Sequence, residues 1–541
     1  MDGFTATQKK ILRNHARAIV HMRKRLADFK FSLVFGAGVS ADFKIPDWDT
    51  LIRDIANDYK VRGGKILDNN EKRPHTSKAQ VLFHHFAAKL CRQKGKDKLS
   101  LGEIKNEWRK IVRKHLYKNK GAVDTTDDYF GHPYLSAFMS IINKCPMTIT
   151  YNFDDYIEQI LQKQSTDRRI YETIWDPQLQ TKLTKCVIYH PNGFLPRNEM
   201  ERQSEGLVFC EDEFADQLIE SMAGRYASLL HHYSQNTCLF IGLSLDDATL
   251  KHLLRQSAKL NPGHYHYYVV YQADGQNIPQ SEKDVIFEAN FNLYNLVTLF
   301  LNSEEIKELG YLIDLSNDMF VHKAGIDSLN LMYCYYVVGA IGIGKSTAIS
   351  YFRNLFTHDE WPDFRIPELG KDWETLSSTQ KRRVDIWIAE QFRKKNDVLC
   401  DDPKSLMGLH IIDRAPLDPI AFTKKAERPQ KASFLLNKIH ENGKGFKIRK
   451  GHVILLYGDS EILEERAKTG GKSYNANKLM KMQDDLKRIY KAQDGMSLIY
   501  TKNKKLEQVI KEVGRVIHRK DYKELNLHMR ITNIEKGKYK C

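Results

Sequence analysis

The chain reads as α/β, with two domains that each open on an apolar strand breaking into a glycine turn. Three observations predict this. From residue 1 to about 300, short apolar runs alternate with longer amphipathic segments, the pattern of a parallel sheet crossed by helices. Two strand–turn–helix signatures, FSLVFGAGVSADFKIPDW (Phe31–Trp48) and YYVVGAIGIGKST (Tyr335–Thr347), lie about 300 residues apart and carry different glycine patterns. A length of 541 residues also exceeds what one hydrophobic core supports.

In chain order, the first domain (residues 1–300) predicts strands at Phe31–Phe35, Met147–Tyr151, Cys186–Tyr189, Thr237–Ile241 and His266–Tyr271. The charged stretch from about 49 to 143 predicts a helical insertion over the ligand edge of that sheet. Residues 301–330 form the junction. They are not rich in Pro, Gly or Ser, so the domains are expected to pack together or be joined by helix. The second domain (331–541) opens with a strand at Leu331–Val338 and a helix at Thr347–Phe356. Strands at Leu409–Ile412 and Val453–Tyr457 follow, then a helix at Ala476–Tyr490. The Lys- and Glu-rich last 40 or so residues read as structural.

Composition bounds the class. Hydrophobic residues make up 42% and aromatics 11%, ample for packed domains. No run approaches the roughly 20 apolar residues that span a bilayer, and the charged N-terminus lacks a signal-peptide core. A cytoplasmic protein without a membrane partner is expected. Lys and Arg number 84 against 68 Asp and Glu, a net charge of +16. The positives are scattered along helices with no nucleic-acid motif beside them. They are therefore assigned to solvated faces and polyphosphate pockets, not to a nucleic-acid partner. The eight cysteines include no CxxC pair, which argues against a metal module or a disulfide framework.

The first glycine turn, Gly36-Ala37-Gly38-Val39-Ser40, lets backbone approach a pyrophosphate. Pro46-Asp47-Trp48 follows it. Asn152 and Asp154 of TYNFD and Gly242 and Ser244 of IGLSLDD stand at later strand ends, where ligands bind in doubly wound sheets. These four ordered motifs resemble the sirtuin family, within it the NAD-hydrolysing branch of bacterial anti-phage defence proteins, over roughly residues 30–260. The resemblance implies a Rossmann-type parallel sheet with NAD⁺ as substrate. It also implies pyrophosphate contacts at Gly36–Ser40, Asn152 placing water or ribose, Asp154 supporting the ribose and nicotinamide side, and Gly242 and Ser244 lining the adenosine half. The missing cysteine-pair zinc module favours NAD hydrolysis over deacylation. The family's catalytic His precedes a Gly, whereas here Asn192 precedes Gly193 and His190 lies two residues earlier. Three readings stay open: His190 is the base, this branch needs none, or Asn192 marks an inactive form.

The second turn fits G-x-x-x-x-G-K-[ST] through Gly339, Gly342, Gly344, Lys345 and Ser346, followed by Thr347. In such a P-loop, backbone amides cradle phosphates, Lys345 reaches the β/γ oxygens, and Ser346 meets Mg²⁺ of an ATP-like nucleotide. Glu368 with Trp373, Asp413-Arg414 and an E-R helix reaching Arg466 follow in an order similar to the deoxynucleoside and thymidylate kinase fold family. The resemblance implies Glu368 as base toward a sugar hydroxyl, Trp373 stacking near the nucleobase and Asp413-Arg414 at the sugar. Arg466, Lys468 and Lys472 would be lid cations, and Gln391 a contact to the base. Ala415 stands where the family has serine, and the lid carries lysines in place of arginines, which counts against fast phosphoryl transfer.

Together these features predict an NAD⁺ hydrolase of an anti-phage defence system, gated by a nucleotide at a kinase-like domain. Expected partners are that nucleotide, further copies of the chain and a partner defence protein. The alternatives are a nucleoside or nucleotide kinase regulated by NAD or ADP-ribose, and a binding platform in which neither site turns over.

Overall fold

The computed structural model describes residues 2–41, 45–94, 99–118, 132–164, 171–177, 186–371, 373–401, 406–441, 445, 447–461, 463 and 476–538. Seven strands form the first sheet: β1 (Phe31–Phe35), β2 (Met147–Thr150), β3 (Tyr171–Ile174), β4 (Cys186–Tyr189), β5 (Thr237–Ile241), β6 (His266–Tyr271) and β7 (Leu296–Leu301), in the order β3-β4-β2-β1-β5-β6-β7. Five form the second: β8 (Met332–Gly339), β9 (Phe356–His358), β10 (Gly408–Asp413), β11 (His452–Tyr457) and β12 (Met496–Tyr500), in the order β12-β11-β8-β10-β9. Every strand pairing is parallel. β1 and β8 are buried along their whole length, as central parallel strands covered on both faces must be. In each sheet the chain first fills one side of that central strand and then crosses to the other side. The two glycine turns therefore stand at the two switch points, where flanking crossovers part and leave a crevice.

Among the described residues the expected insertion holds the helices Trp48–Asn57, Gly64–Asp68, His75–Lys94 and Leu101–Leu116, and the short helices Leu135–Phe138 and Met139–Lys144 lead from it into β2. The insertion helices share a small core of their own around Trp108, Phe86 and Ile55, which also takes in Phe153, Leu195 and Phe209 from loops beyond β2 and β4. The insertion thus sits over the carboxyl ends of the strands. Residues 301–330 hold two helices, Ser303–Asp314 and Asn317–Ile326.

The two sheets are not tethered bodies. One hydrophobic cluster runs from Phe31 and Tyr267 to Tyr335 and Ile411. The N-terminal helix Ala6–Ala27 lies between the sheets. Its Arg17 donates to Tyr335 Oη (3.1 Å) and Ile517 O (2.6 Å), and His21 bonds Tyr267 Oη (2.7 Å) and Asn354 O (2.9 Å). Gly263, just before β6, sits so close to the second unit that a Cβ would fall 2.6 Å from Tyr351 O.

One helix differs from expectation. The helix after the second glycine turn covers only Lys345–Ile349, and Phe356 already begins β9. The apolar residues that suggested a longer helix are used otherwise: Phe352 is fully buried in the cluster between the sheets and Tyr351 backs onto Gly263.

Candidate functional site

The turn after β1 and the turn after β5 pack backbone to backbone. Gly36 N donates to Ile241 O (3.0 Å) and Gly38 N to Gly242 O (2.9 Å). A Cβ on Gly36 would meet Gly242 O at 2.5 Å. One on Gly242, whose φ is +71°, would meet Val39 N at 2.7 Å. The glycines are thus required by the mutual approach of two chain turns. Ala37 and Gly38 remain exposed, whereas Val39 and Ser40 are buried.

Under this turn the structure gathers Ser40, Asn152 and Asp154. Asn152 Nδ2 donates to Gly36 O (3.0 Å) and to Ser40 Oγ (2.7 Å), and Ser40 Oγ donates to Asp154 Oδ2 (2.8 Å). All three side chains are buried. Burial, with Asp155 beside it, outweighs the Ser40 hydrogen bond and raises the Asp154 pKa to about 6.

His190 is fully buried, and both its ring nitrogens are engaged: Nδ1 with Asn152 O and Nε2 with Glu158 Oε1, each at 2.9 Å. Burial alone would lower its pKa, but the Glu158 carboxylate and the hydrogen bonds to it and to Asn152 prevail, leaving the value above the usual one. Both partners are acceptors, so the imidazolium satisfies both at once. Neither nitrogen is free for a substrate proton, which removes the geometric basis for reading His190 as the base. Asn192 is also held internally, donating to Tyr151 O (3.3 Å) and accepting from Gln217 Nε2 (3.1 Å).

The remaining first-site residues lie further out. Asp47 is exposed and accepts from Thr50 N (2.8 Å), capping the helix Trp48–Asn57; that bond lowers its pKa. Trp48 stacks on Phe209 at 5.1 Å and meets Phe153 edge-on at 6.3 Å, so Pro46-Asp47-Trp48 ties the insertion to the loop carrying Asn152 and Asp154. Ser244 is exposed at the rim, beyond Leu243, whose carbonyl accepts from Tyr268 Oη (2.6 Å). Sequence reasoning missed Glu158 and Gln217. Glu158 carried a usable signal, since it stands four residues after Asp154 on the first turn of the helix Tyr156–Gln164.

At the second turn, Gly342 (φ +82°) and Gly344 (φ +99°) occupy left-handed backbone, and a Cβ on Gly339 would lie 2.6 Å from Leu456 O. Lys345 is buried and curls back to donate to Gly339 O and Ala340 O, both at 3.2 Å. Burial, aided by Arg414, lowers its pKa to about 8. Ser346 Oγ donates to Asp413 Oδ2 (2.5 Å), while the buried Asp413 Oδ1 has no hydrogen-bond partner. Ser346 and Thr347 are exposed. Arg414 has φ +66°, unusual for a non-glycine residue, and is held by Glu360 Oε1 (2.6 Å) and Asp418 Oδ2 (3.2 Å).

Beside these groups opens a cavity of about 460 Å³, within the range of small-molecule sites. Trp361, Phe392 and Phe422 supply aromatic wall, and Glu360, Arg414 and Asp418 supply charge. The sequence expectation placed the glutamate and tryptophan of this site at Glu368 and Trp373. Glu368 sits on a 3₁₀ turn (Pro367–Gly370) beyond the strand end, and its carboxylate pairs with Arg383 (3.1 Å). Trp373 is 41% exposed with Lys381 over its ring. The glutamate–tryptophan pair that lines the cavity is Glu360-Trp361, immediately past β9. The hidden signal was the brief strand FTH before it. Gln391 is fully buried with both ends locked on Asp363, Oε1 accepting from its N and Nε2 donating to its Oδ2, each at 3.0 Å. Arg466, Lys468 and Lys472 lie outside the described residues.

With this geometry in place, residues 146–295 match the family model of the SIR2-like domain. That span carries Asn152, Asp154, His190, Asn192, Gly242 and Ser244. Among curated proteins, none matches the chain. A crystal structure of NadR protein in complex with NAD and AMP-PNP aligns with 70% of this chain and 89% of its own, at 8% identity and a TM-score of 0.27. At that level the likeness bears on neither fold nor ligand. No helix among the described residues is long and apolar enough to cross a membrane.

Proposed function

We propose that the chain is an NAD⁺ hydrolase whose first site cleaves the nicotinamide–ribose bond to give nicotinamide and ADP-ribose, gated by a nucleotide at the second glycine turn. The observation that carries this reading is the buried Ser40–Asn152–Asp154 cluster at the switch point of a sheet whose strands β2–β6 lie within the stretch that matches the SIR2-like domain. Breaking that bond builds positive charge on the ribose, and a carboxylate held against it stabilises the transition state. With His190 engaged on both nitrogens and Asn192 unable to take a proton, Asp154 is the group suited to accept one from the attacking water. A pKa of about 6 lies close to working pH, as a general base requires. Asn152 places the water or the ribose hydroxyl.

At the second site the backbone of Gly339–Lys345 would cradle a nucleoside triphosphate, and Lys345, uncurled from its two carbonyls, would meet its terminal phosphates. The orphaned Asp413 Oδ1 and Ser346 Oγ fit a Mg²⁺ ion, which would offset phosphate charge there. Unchecked NAD⁺ loss kills the cell that makes the enzyme, so a gate opened by disturbed nucleotide pools suits an abortive-infection defence. On this reading the protein works in the cytoplasm, as a homo-oligomer or with a partner defence protein.

The cavity beside Arg414 favours a second reading, a kinase for a planar nucleoside or nucleotide, with NAD or ADP-ribose as regulator. The deciding experiment measures NAD⁺ loss by purified protein, alone and with each nucleoside mono- and triphosphate plus Mg²⁺. Loss with one nucleotide, abolished by Lys345→Ala, supports the gated hydrolase. Phosphate transfer without NAD⁺ loss, unchanged by Asn192→His, overturns it in favour of the kinase.

A further inference from the structure

We propose that Lys395 is a positioning residue of the second site, locking the backbone of Glu360 and Asp413 so that the Asp413 carboxylate is fixed for the Mg²⁺ of a bound nucleotide. This rests on reading that site as a nucleoside-triphosphate site.

Lys395 lies on the helix Ser378–Leu399 and is 5% exposed. Its ammonium donates to Asp413 O (2.8 Å), Glu360 O (2.9 Å) and Asp359 O (3.3 Å), which uses all three of its protons. Those carbonyls lie just where the sheet stops supplying partners. β9 is a three-residue edge strand, and its register with β10 runs Phe356↔His410, Thr357↔Ile411 and His358↔Ile412. Beyond that rung the ladder ends, and the Lys395 ammonium joins the two chain ends in its place.

The residues it joins carry the site's chemistry on their side chains. Glu360 holds Arg414 at the cavity wall, and Asp413 holds Ser346 while presenting its free Oδ1. Glu360, Asp413, Asp418 and Arg414 all act electrostatically on Lys395, so its charge belongs to the same cluster. Burying an ammonium is strongly unfavourable unless it is paired and fully hydrogen-bonded. A methionine of similar length would fill the same space without that penalty. A lysine here is explained by what it holds: two strand ends at one spacing, with Asp413 turned toward Ser346.

The test is equilibrium binding of a fluorescent ATP analogue over a Mg²⁺ titration to the full-length wild type, Lys395→Met, Lys395→Arg, Lys345→Ala and Val384→Ala. Val384 is buried on the same helix but has no part in the cluster, so it reports general loosening. Lys395→Met is expected to raise the half-saturating Mg²⁺ at least tenfold, with Mg²⁺-free binding within threefold of wild type. Lys395→Arg, which keeps a charged donor, should recover most of the shift, and Val384→Ala should stay within threefold. If Lys395→Met does not fold, Lys395→Gln, which keeps a shorter two-proton donor, should raise the requirement at least threefold. A wild-type Mg²⁺ requirement in Lys395→Met (or in Lys395→Gln, where that variant stands in), or an equal shift in Val384→Ala, overturns the role of Lys395 alone. Nucleotide binding by Lys345→Ala as tight as wild type overturns the reading of the site itself.

Discussion

Removing the Glu158 carboxylate, as in Glu158→Ala, should destabilise the first sheet in a pH-dependent way. Glu158 and His190 form a pair with side chains 5% and 0% exposed at 2.9 Å. Deleting one partner of a buried pair costs about 3–5 kcal/mol when the other charge is stranded. His190 can instead discharge, which limits the loss toward the roughly 1.5–3 kcal/mol of a charged hydrogen bond. Between these bounds lies about 2–4 kcal/mol, or about 4–8 °C in Tm at about 2 °C per kcal/mol for a large domain. The sign with pH follows from the raised His190 pKa. Its contribution is fully present below the unfolded value of about 6.5 and is lost as pH rises through the folded value. Scanning fluorimetry from pH 6 to 9 should therefore show the gap between wild type and variant widest at pH 6 and narrowing upward. A gap below 2 °C at pH 6, or one that widens with pH, refutes the reasoning.

Asp154→Asn should abolish NAD⁺ turnover yet raise stability near pH 7.5. A carboxyl raised from 3.8 to about 6 loses stability as pH climbs through that interval, so urea melts should show a gain of ~1–3 kcal/mol at pH 7.5 that vanishes near pH 4. The buried histidines His21, His232 and His264, whose pKa values burial lowers to between about 3 and about 4, are neutral in the fold. The unfolded chain binds their protons below about 6.5, so stability should fall as pH drops from 6.5 toward 4. The slope is about 1.4 kcal/mol per histidine per unit, and a flat Tm over that window would contradict it. Trp361→Ala should weaken binding of a nucleoside to the cavity at least tenfold in calorimetry, whereas Trp373→Ala should leave it unchanged; the opposite ranking would restore the expectation from sequence.

What was legible in the chain followed from how strongly each position is constrained. Central strands are buried on both faces and read as unbroken apolar runs, so FSLVF and CYYVVG stood out. The edge strands did not: YETI is half-buried with a charge in it, and FTH is three residues long. Without FTH the sequence offered Glu368 and Trp373, whereas Glu360-Trp361, eight residues earlier, lines the cavity wall. The Ser40–Asn152–Asp154 cluster was legible because strand ends in a parallel sheet converge whatever the loops do. The engagement of His190 was not, because Glu158 reaches it from a helix whose orientation only the packed sheet fixes.

The two glycine turns each follow a buried central strand but differ in glycine pattern and in what surrounds them. The first is closed by another turn of the same sheet, Gly242 against Gly36 and Gly38, with its polar groups bonded to one another. The second adjoins an open cavity, with an orphaned carboxylate oxygen and a lysine curled onto its own loop. That asymmetry suits a sensor and an effector. On the proposed reading, a ligand that uncurls Lys345 would act on the helix whose following segment, Tyr351–Asn354, abuts Gly263, just before β6, and His21 on the helix between the sheets. From there β6 pairs with β5, and β5 is followed directly by Gly242. Switching a population from 1:99 to 99:1 takes about 5.5 kcal/mol of differential affinity, and a micromolar ligand binds with about 8 kcal/mol. A nucleotide gate is affordable only if about two thirds of its binding energy is withheld from the inactive state. The curled Lys345, whose two carbonyl bonds must break before it can meet phosphate, is a contact able to withhold it.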